Sequence, residues 1–133
     1  MMPIAHWLTD QQIDALATYF SEQAGNLTPL SSSPLNETIE KGRALAHQGS
    51  LPEKIPSCVD CHGPGEILRS DEYPKLAGQP AWYIRQQLEL FATQRRGGSE
   101  NFSLMHPIAV KLDDSQRLAL SEYYASLNGS EEN

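Results

Sequence analysis

Cys58-Val59-Asp60-Cys61-His62 is the part of this chain with the most chemistry in it. Two cysteines two residues apart, followed at once by histidine, form the attachment signal for a c-type haem. The two thiols would be consumed as thioethers to the porphyrin edges. The short turn between them brings His62 under the iron as a proximal ligand. The chain has only these two cysteines, so the motif accounts for one haem and leaves no thiol over.

Other uses of such a pair fit less well. A thioredoxin-like Cys-x-x-Cys opens a helix after a strand. Here the preceding Leu51-Pro52-Glu53-Lys54-Ile55-Pro56-Ser57 is a proline-punctuated loop. A structural zinc site needs four ligands, and no second cysteine pair exists to complete one. A six-coordinate haem also needs a ligand on its other face. Of the three methionines, Met1, Met2 and Met105, only Met105 lies downstream of the motif. A soft thioether there favours Fe(II) and raises the reduction potential. The alternatives are a core-filling methionine or competition from the adjacent His106, which would lower the potential.

The elements that must position these residues are helical. Four amphipathic stretches are predicted. The first runs from Thr9 to Glu22, with Ile13, Leu16, Ala17 and Phe20 on one stripe and Thr9 or Asp10 as cap. The second, Asn36 to His47, is capped by Asn36, interrupted by Gly42, and carries Ile39, Ala44 and Leu45. The third opens at Pro80 and continues to Arg96, with Ile84, Leu88 and Phe91 on one face and Gly97-Gly98 as its stop. The fourth runs from Asp113 to Leu127, with Leu118, Leu120, Tyr123, Tyr124 and Leu127 as its apolar side and Asn128-Gly129 after it. Residues 24–35, including Gly25 to Pro34, read as a linker.

Residues 1–22 align without a gap on residues 105–126, with ten identities: Met1/Met105, Pro3/Pro107, Ile4/Ile108, Ala5/Ala109, Leu8/Leu112, Asp10/Asp114, Gln12/Gln116, Ala15/Ala119, Leu16/Leu120 and Tyr19/Tyr123. Two unrelated amphipathic helices share Leu, Ala and Tyr easily, but not a common Met-x-Pro-Ile-Ala ahead of each. Duplication of one unit is the simplest account, with the front of the first copy absent from this chain.

At 133 residues and 39% hydrophobic content, the chain suits one small domain with an appendage. A buried porphyrin would add apolar surface for a small helical fold to pack around. The net charge of -7 argues against nucleic acid as a partner and favours partners with basic surfaces. No run approaches the ~20 apolar residues of a membrane span, so contact with membranes is expected only through partners. Met1 to Trp7 lacks the basic start and apolar run of a secretory signal. Haem of this type is attached outside the bacterial cytoplasm, so a periplasmic protein is expected, with its export signal absent from this chain.

From Glu37 to Leu127 the chain resembles a class I cytochrome c domain, most similar to the cytochrome c4 and short c553/c554 group. The residues that carry the resemblance are Cys58 to Pro64, Tyr73-Pro74-Lys75-Leu76-Ala77-Gly78-Gln79, Tyr83 to Leu88 with Phe91 and Arg95-Arg96, and Met105-His106-Pro107-Ile108-Ala109 before Leu112-Asp113-Asp114. The resemblance implies an all-α class I cytochrome c fold around one covalently bound haem, with an extra N-terminal helix. It implies that Pro74 offers its carbonyl to the His62 Nδ1, that Leu76 packs on the porphyrin, that Gly78 lets the chain pass close by, and that Gly42 lies where the first and last helices cross.

Because cytochrome c4 proteins are dihaem, residues 1–23 then read as the closing helix of a preceding domain, 24–35 as the linker and 36–129 as the cytochrome domain. Met1 would stand in the place of the first haem's ligand. The N-terminal helix would pack on the remaining lobe, dock on a second copy as a homodimer, or fray.

The expected function is electron transfer, with no substrate turned over. The implied partners are a quinol-oxidising complex and a terminal oxidase or reductase. The alternatives are a haem domain of a larger dihaem cytochrome or multi-domain oxidoreductase, and a sensor in which Met105 leaves to admit a gas. Tyr73, Trp82, Tyr83, Arg85, Arg95 and Arg96 could shape the haem edge, though each is a common packing or surface residue.

Overall fold

A computed structural model describes residues 2–23, 36–64, 73–96 and 103–127. Among them are seven helices: α1 (Met2–His6), α2 (Asp10–Ser21), α3 (Asn36–Gln48), α4 (Val59–His62), α5 (Ala81–Ala92), α6 (His106–Ala109) and α7 (Asp114–Ser126). The described residues contain no strand beyond an isolated Ser50–Ile55 bridge. The predicted linker, Met1, Gly97-Gly98 and Asn128-Gly129 lie outside the described residues.

The core is built where α3 and α5 pack on α7, with α6 against α5 and α4 against α3. Ala46, Ile55, Val59, Ile84, Leu88, Leu112, Leu120, Tyr123 and Tyr124 are buried together. The α3–α7 crossing is close because Gly42 has no side chain. A Cβ there would stand 2.0 Å from the Ala119 carbonyl oxygen and 2.8 Å from the Tyr123 Cβ. The small residue expected at the crossing is therefore where the backbones meet.

Several details differ from the sequence-based expectations. α5 stops at Ala92, four residues before Arg96. Gln94 adopts a left-handed conformation (φ 56°), Arg95 N–H donates to the Leu90 carbonyl at 2.9 Å and Gln94 N–H to that of Phe91 at 3.2 Å. This is a Schellman ending with glutamine in the place usually taken by glycine. Asn36 is the first helical residue of α3 rather than its cap, and Ala44 is exposed while Ala46 is fully buried. On α7, Leu118 is exposed, whereas Ala119 and Ser121 are buried. Small side chains face the close crossing, and Ser121 meets its own polar need by donating to the Leu118 carbonyl at 2.8 Å.

The internal repeat extends to hydrogen bonding. Thr9 and Gln12 form a capping box that starts α2, and Asp113 and Gln116 form the same box for α7. Ahead of each box, Trp7 N–H donates to Ile4 and Leu8 N–H to Ala5, as Lys111 N–H does to Ile108 and Leu112 N–H to Ala109. The environments are opposite. α7 buries Ala119, Leu120, Ser121, Tyr123 and Tyr124, while α2 buries no residue and packs on no other described element. Of the three outcomes expected for the N-terminal helix, packing on the lobe is not the one observed. α2 is formed and capped, with Ile13, Leu16, Tyr19 and Phe20 exposed.

Candidate haem site

The attachment motif hangs from the end of α3. The last carbonyls of a helix have no partner inside it. The Ala46 carbonyl takes the Cys58 N–H at 2.8 Å and the Ser57 hydroxyl at 3.2 Å. Gly49 makes the approach possible. Its φ of 63° turns the chain out of α3, and a Cβ there would stand 2.3 Å from the Ile55 carbonyl oxygen. From Cys58 the chain winds a single turn, with Cys61 N–H and His62 N–H both directed at the Cys58 carbonyl, at 3.2 and 2.9 Å. Residues three apart on such a turn share a side, so Cys58 and Cys61 stand on the same side of it. Val59 anchors the turn by burial in the core.

His62 is buried, and its Nδ1 lies 2.8 Å from the Pro74 carbonyl oxygen. A carbonyl only accepts, so Nδ1 carries the proton and donates. The lone pair of the ring is then on Nε2, the tautomer needed to bind a metal there. Tyr73 meets the imidazole edge to face, with ring centroids 6.3 Å apart. Its adjacency to Pro74 is the only sequence signal for this contact. Gly78 has a backbone role: at φ 76° it donates its N–H to the Tyr124 carbonyl at 2.9 Å. This ties the segment bearing Pro74 and Leu76 to the end of α7.

Cys58, Leu76, Met105 and Ile108 are half-buried and packed on one side or another of the same core. The core is therefore fringed by two sulfur-bearing and two aliphatic side chains. Met105 is held by its surroundings. Its carbonyl accepts from Ala109 N–H at 2.8 Å and Ile108 N–H at 3.2 Å, and Arg117 reaches from α7 to the Ala109 carbonyl at 3.3 Å.

The adjacent His106 has both ring nitrogens engaged elsewhere. Its Nδ1–H donates to the Phe91 carbonyl at 2.8 Å, and its Nε2 accepts from the Gln94 amide at 3.1 Å. Both ring nitrogens are used against the end of α5. Burial, with smaller effects from Cys61 and Asp60, pushes the Cys58 thiol up to about 11. The described residues contain no group of three or more His, Cys, Asp or Glu arranged to hold a metal ion.

Of the other aromatic and basic residues considered, Trp82 and Arg85 line an open groove of about 480 Å³ between α5 and α7. Tyr83 stacks edge-on with Trp82. Arg95 lies exposed in the turn after α5. Arg96 lies over the Phe91 ring at 5.1 Å and donates to the Gln87 side chain.

The Cytochrome c family model matches residues 39–128. A thiosulfate dehydrogenase electron acceptor from Thiomonas intermedia (strain K12) is 34% identical over 128 residues, covering 95% of this chain and 57% of that protein. Cytochrome c-554(548) of Halomonas halodenitrificans is 37% identical over 75 residues, 56% of this chain and 88% of the relative. The solved structure of Acidithiobacillus ferrooxidans cytochrome c4 superposes with a TM-score of 0.79 at 33% identity, covering 96% of this chain and 70% of that one.

The chain spans between half and two thirds of the length of the two thiosulfate dehydrogenase electron acceptors it matches. The fold is the all-α class I cytochrome c fold, and the cofactor is one haem c bound covalently through Cys58 and Cys61. With the motif seated at the end of α3, the histidine tautomer held by a backbone carbonyl and two thirds of the sequence matched, the chain belongs to the cytochrome c family.

Proposed function

We propose that this chain is a periplasmic electron carrier with His62 and Met105 as axial ligands of its single haem, and that it turns over no substrate of its own. When bound, haem c supplies a one-electron Fe(III)/Fe(II) couple. The residues keep that couple in one geometry. Cys58 and Cys61 prevent loss of the group. His62 presents Nε2 and, through its bond to Pro74, gains donor strength and a fixed ring plane. Met105 offers a soft sulfur that favours the reduced state. Leu76, Ile108 and the core residues behind them exclude water.

The observation that carries this reading is the His62–Pro74 hydrogen bond, because it fixes which nitrogen is available to a metal. Replacing Met105 by Ala tests it. The substitution should lower the reduction potential by a sizeable part of the ~0.8 V span that axial ligands command, and open the iron to CO. An unchanged potential and spectrum would remove Met105 from the ligand set.

The acidic chain is suited to redox proteins with basic docking faces. The names of two relatives support an enzyme as electron donor. On this reading a dehydrogenase or a quinol-oxidising complex reduces the chain, and a terminal oxidase or reductase oxidises it. Among the described residues no helix is long and apolar enough to cross a membrane.

Residues 1–23 are read as the closing helix of a preceding cytochrome lobe, 24–35 as its linker and 36–129 as the haem domain. The repeated hydrogen bonds and the greater length of the relatives support this. The exposed stripe of α2 then awaits that lobe. Sedimentation of the holoprotein as a monomer agrees with this assignment, and a dimer lost on Leu16→Ala would assign the stripe to a second copy.

A further inference from the structure

We infer that His106 is a positioning residue that holds the Met105 sulfur at the iron by clamping its loop to the end of α5. The inference rests on the proposed role of Met105 as a ligand. A methionine side chain has three rotatable bonds and its thioether is a weak neutral ligand, so the backbone that carries it decides how firmly the sulfur is presented.

The residue after Met105 is anchored at three points. The His106 backbone N–H donates to the Ser103 hydroxyl at 3.2 Å. The ring Nδ1–H donates to the Phe91 carbonyl at 2.8 Å, in the last turn of α5. The ring Nε2 accepts from the Gln94 amide at 3.1 Å. Gln94 is the residue whose left-handed backbone ends α5 early, so the feature that stops the helix also places the amide that meets the imidazole. α5 is itself fixed by Ile84 and Leu88 in the core. The clamp therefore links the Met105 loop to a rigid element rather than to another loop. The repeat shows that the clamp is not part of the Met-x-Pro-Ile-Ala pattern itself: the position equivalent to His106 is Met2, which has no imidazole.

The test uses the haem-loaded full chain and four variants, read by the far-red absorption band of sulfur-ligated ferric haem, the rate of CO binding to the reduced protein, and the unfolding midpoint. His106→Ala should weaken the band and speed CO binding on the order of tenfold, as expected for the loss of a hydrogen bond of ordinary strength. His106→Asn, whose amide N–H can stand in for Nδ1–H, should restore both readings to near the parent values. Gln94→Ala should fall between the two. Met105→Ala should abolish the band.

If His106→Ala lowers the unfolding midpoint yet keeps the parent band and CO rate, His106 serves the fold alone and the inference is overturned. If Met105→Ala keeps the band, it is the ligand assignment that fails instead. Should His106→Ala not fold, the other pair decides: faster CO binding in Gln94→Ala with parent behaviour in His106→Asn supports the clamp, and parent rates in both overturn it.

Discussion

Replacing Gly42 by Ala sets two physical effects of opposite sign against each other. Gly42 lies inside α3, where exchanging glycine for alanine on propensity alone would stabilise the helix by about 1 kcal/mol. The crossing with α7 predicts the reverse. The new Cβ would stand 2.0 Å from the Ala119 carbonyl oxygen and 2.5 Å from its carbon, where ordinary contact begins at 3.4 Å. The nearest atoms are backbone, so no side chain can swing aside. The helices must part by more than an ångström along that line, which loosens the contacts of Leu120, Tyr123 and Tyr124 across the same seam.

Overpacking costs about 1–3 kcal/mol, and a clash against backbone belongs in the upper half of that range, so after the ~1 kcal/mol gain from propensity the net change should be destabilising by about 1–2 kcal/mol. For a domain of this size that lowers the thermal midpoint by roughly 4–8 °C per kcal/mol. Urea unfolding of the haem-loaded protein is the assay, with the midpoint moving and the slope unchanged. Gly42→Val should cost more than Gly42→Ala. A Gly42→Ala protein as stable as the parent, or more so, would refute the close crossing and leave helix propensity as the deciding effect.

Other perturbations probe the remaining parts of the account. Leu120→Ala, at a position 3% exposed, should cost about 2–5 kcal/mol. Its repeat counterpart Leu16→Ala, 43% exposed, should stay within about 0.5 kcal/mol in urea unfolding. Equal costs would mean that α2 is docked in solution. Burial pushes the Tyr123 hydroxyl above the usual tyrosine range. The folded state therefore holds that proton more tightly than the unfolded chain. The stability this contributes is complete below the unfolded pKa and is lost as pH rises through the folded one. Tyr123→Phe, which also removes the 2.8 Å bond to His47 Nε2, should flatten the alkaline limb of the stability profile.

Much of the site was legible because its chemistry is local. Cys58, Cys61 and His62 occupy one turn, and a bond from His62 to Pro74 was expected from the spacing of the family. The structure departs from the pattern where tertiary contact overrides it. The early end of α5 depends on Gln94 adopting a conformation that carries no glycine signal. Gly42 at the crossing is legible through the family resemblance, but Ala46, Ala119 and Ser121, which complete the buried faces of α3 and α7, are small residues that a search for large apolar side chains passes over. Leu118 matches the expected stripe but lies on the groove side of α7, beside Trp82. The use of both His106 nitrogens depends on where α5 ends, so it could not be anticipated from the motif that precedes it. By contrast, the repeat was legible as sequence and recurs as hydrogen bonds, although the two copies differ completely in burial.

The proposed electron carrier depends on a one-electron couple at an iron held by His62 and Met105 in both oxidation states. A spectroelectrochemical titration of the haem-loaded chain tests it most directly. With both ligands kept, the titration should show a single reversible one-electron wave, low-spin spectra at both ends, and the sulfur-to-iron band in the oxidised form only. A high-spin reduced spectrum, or an oxidised spectrum without that band, would contradict it.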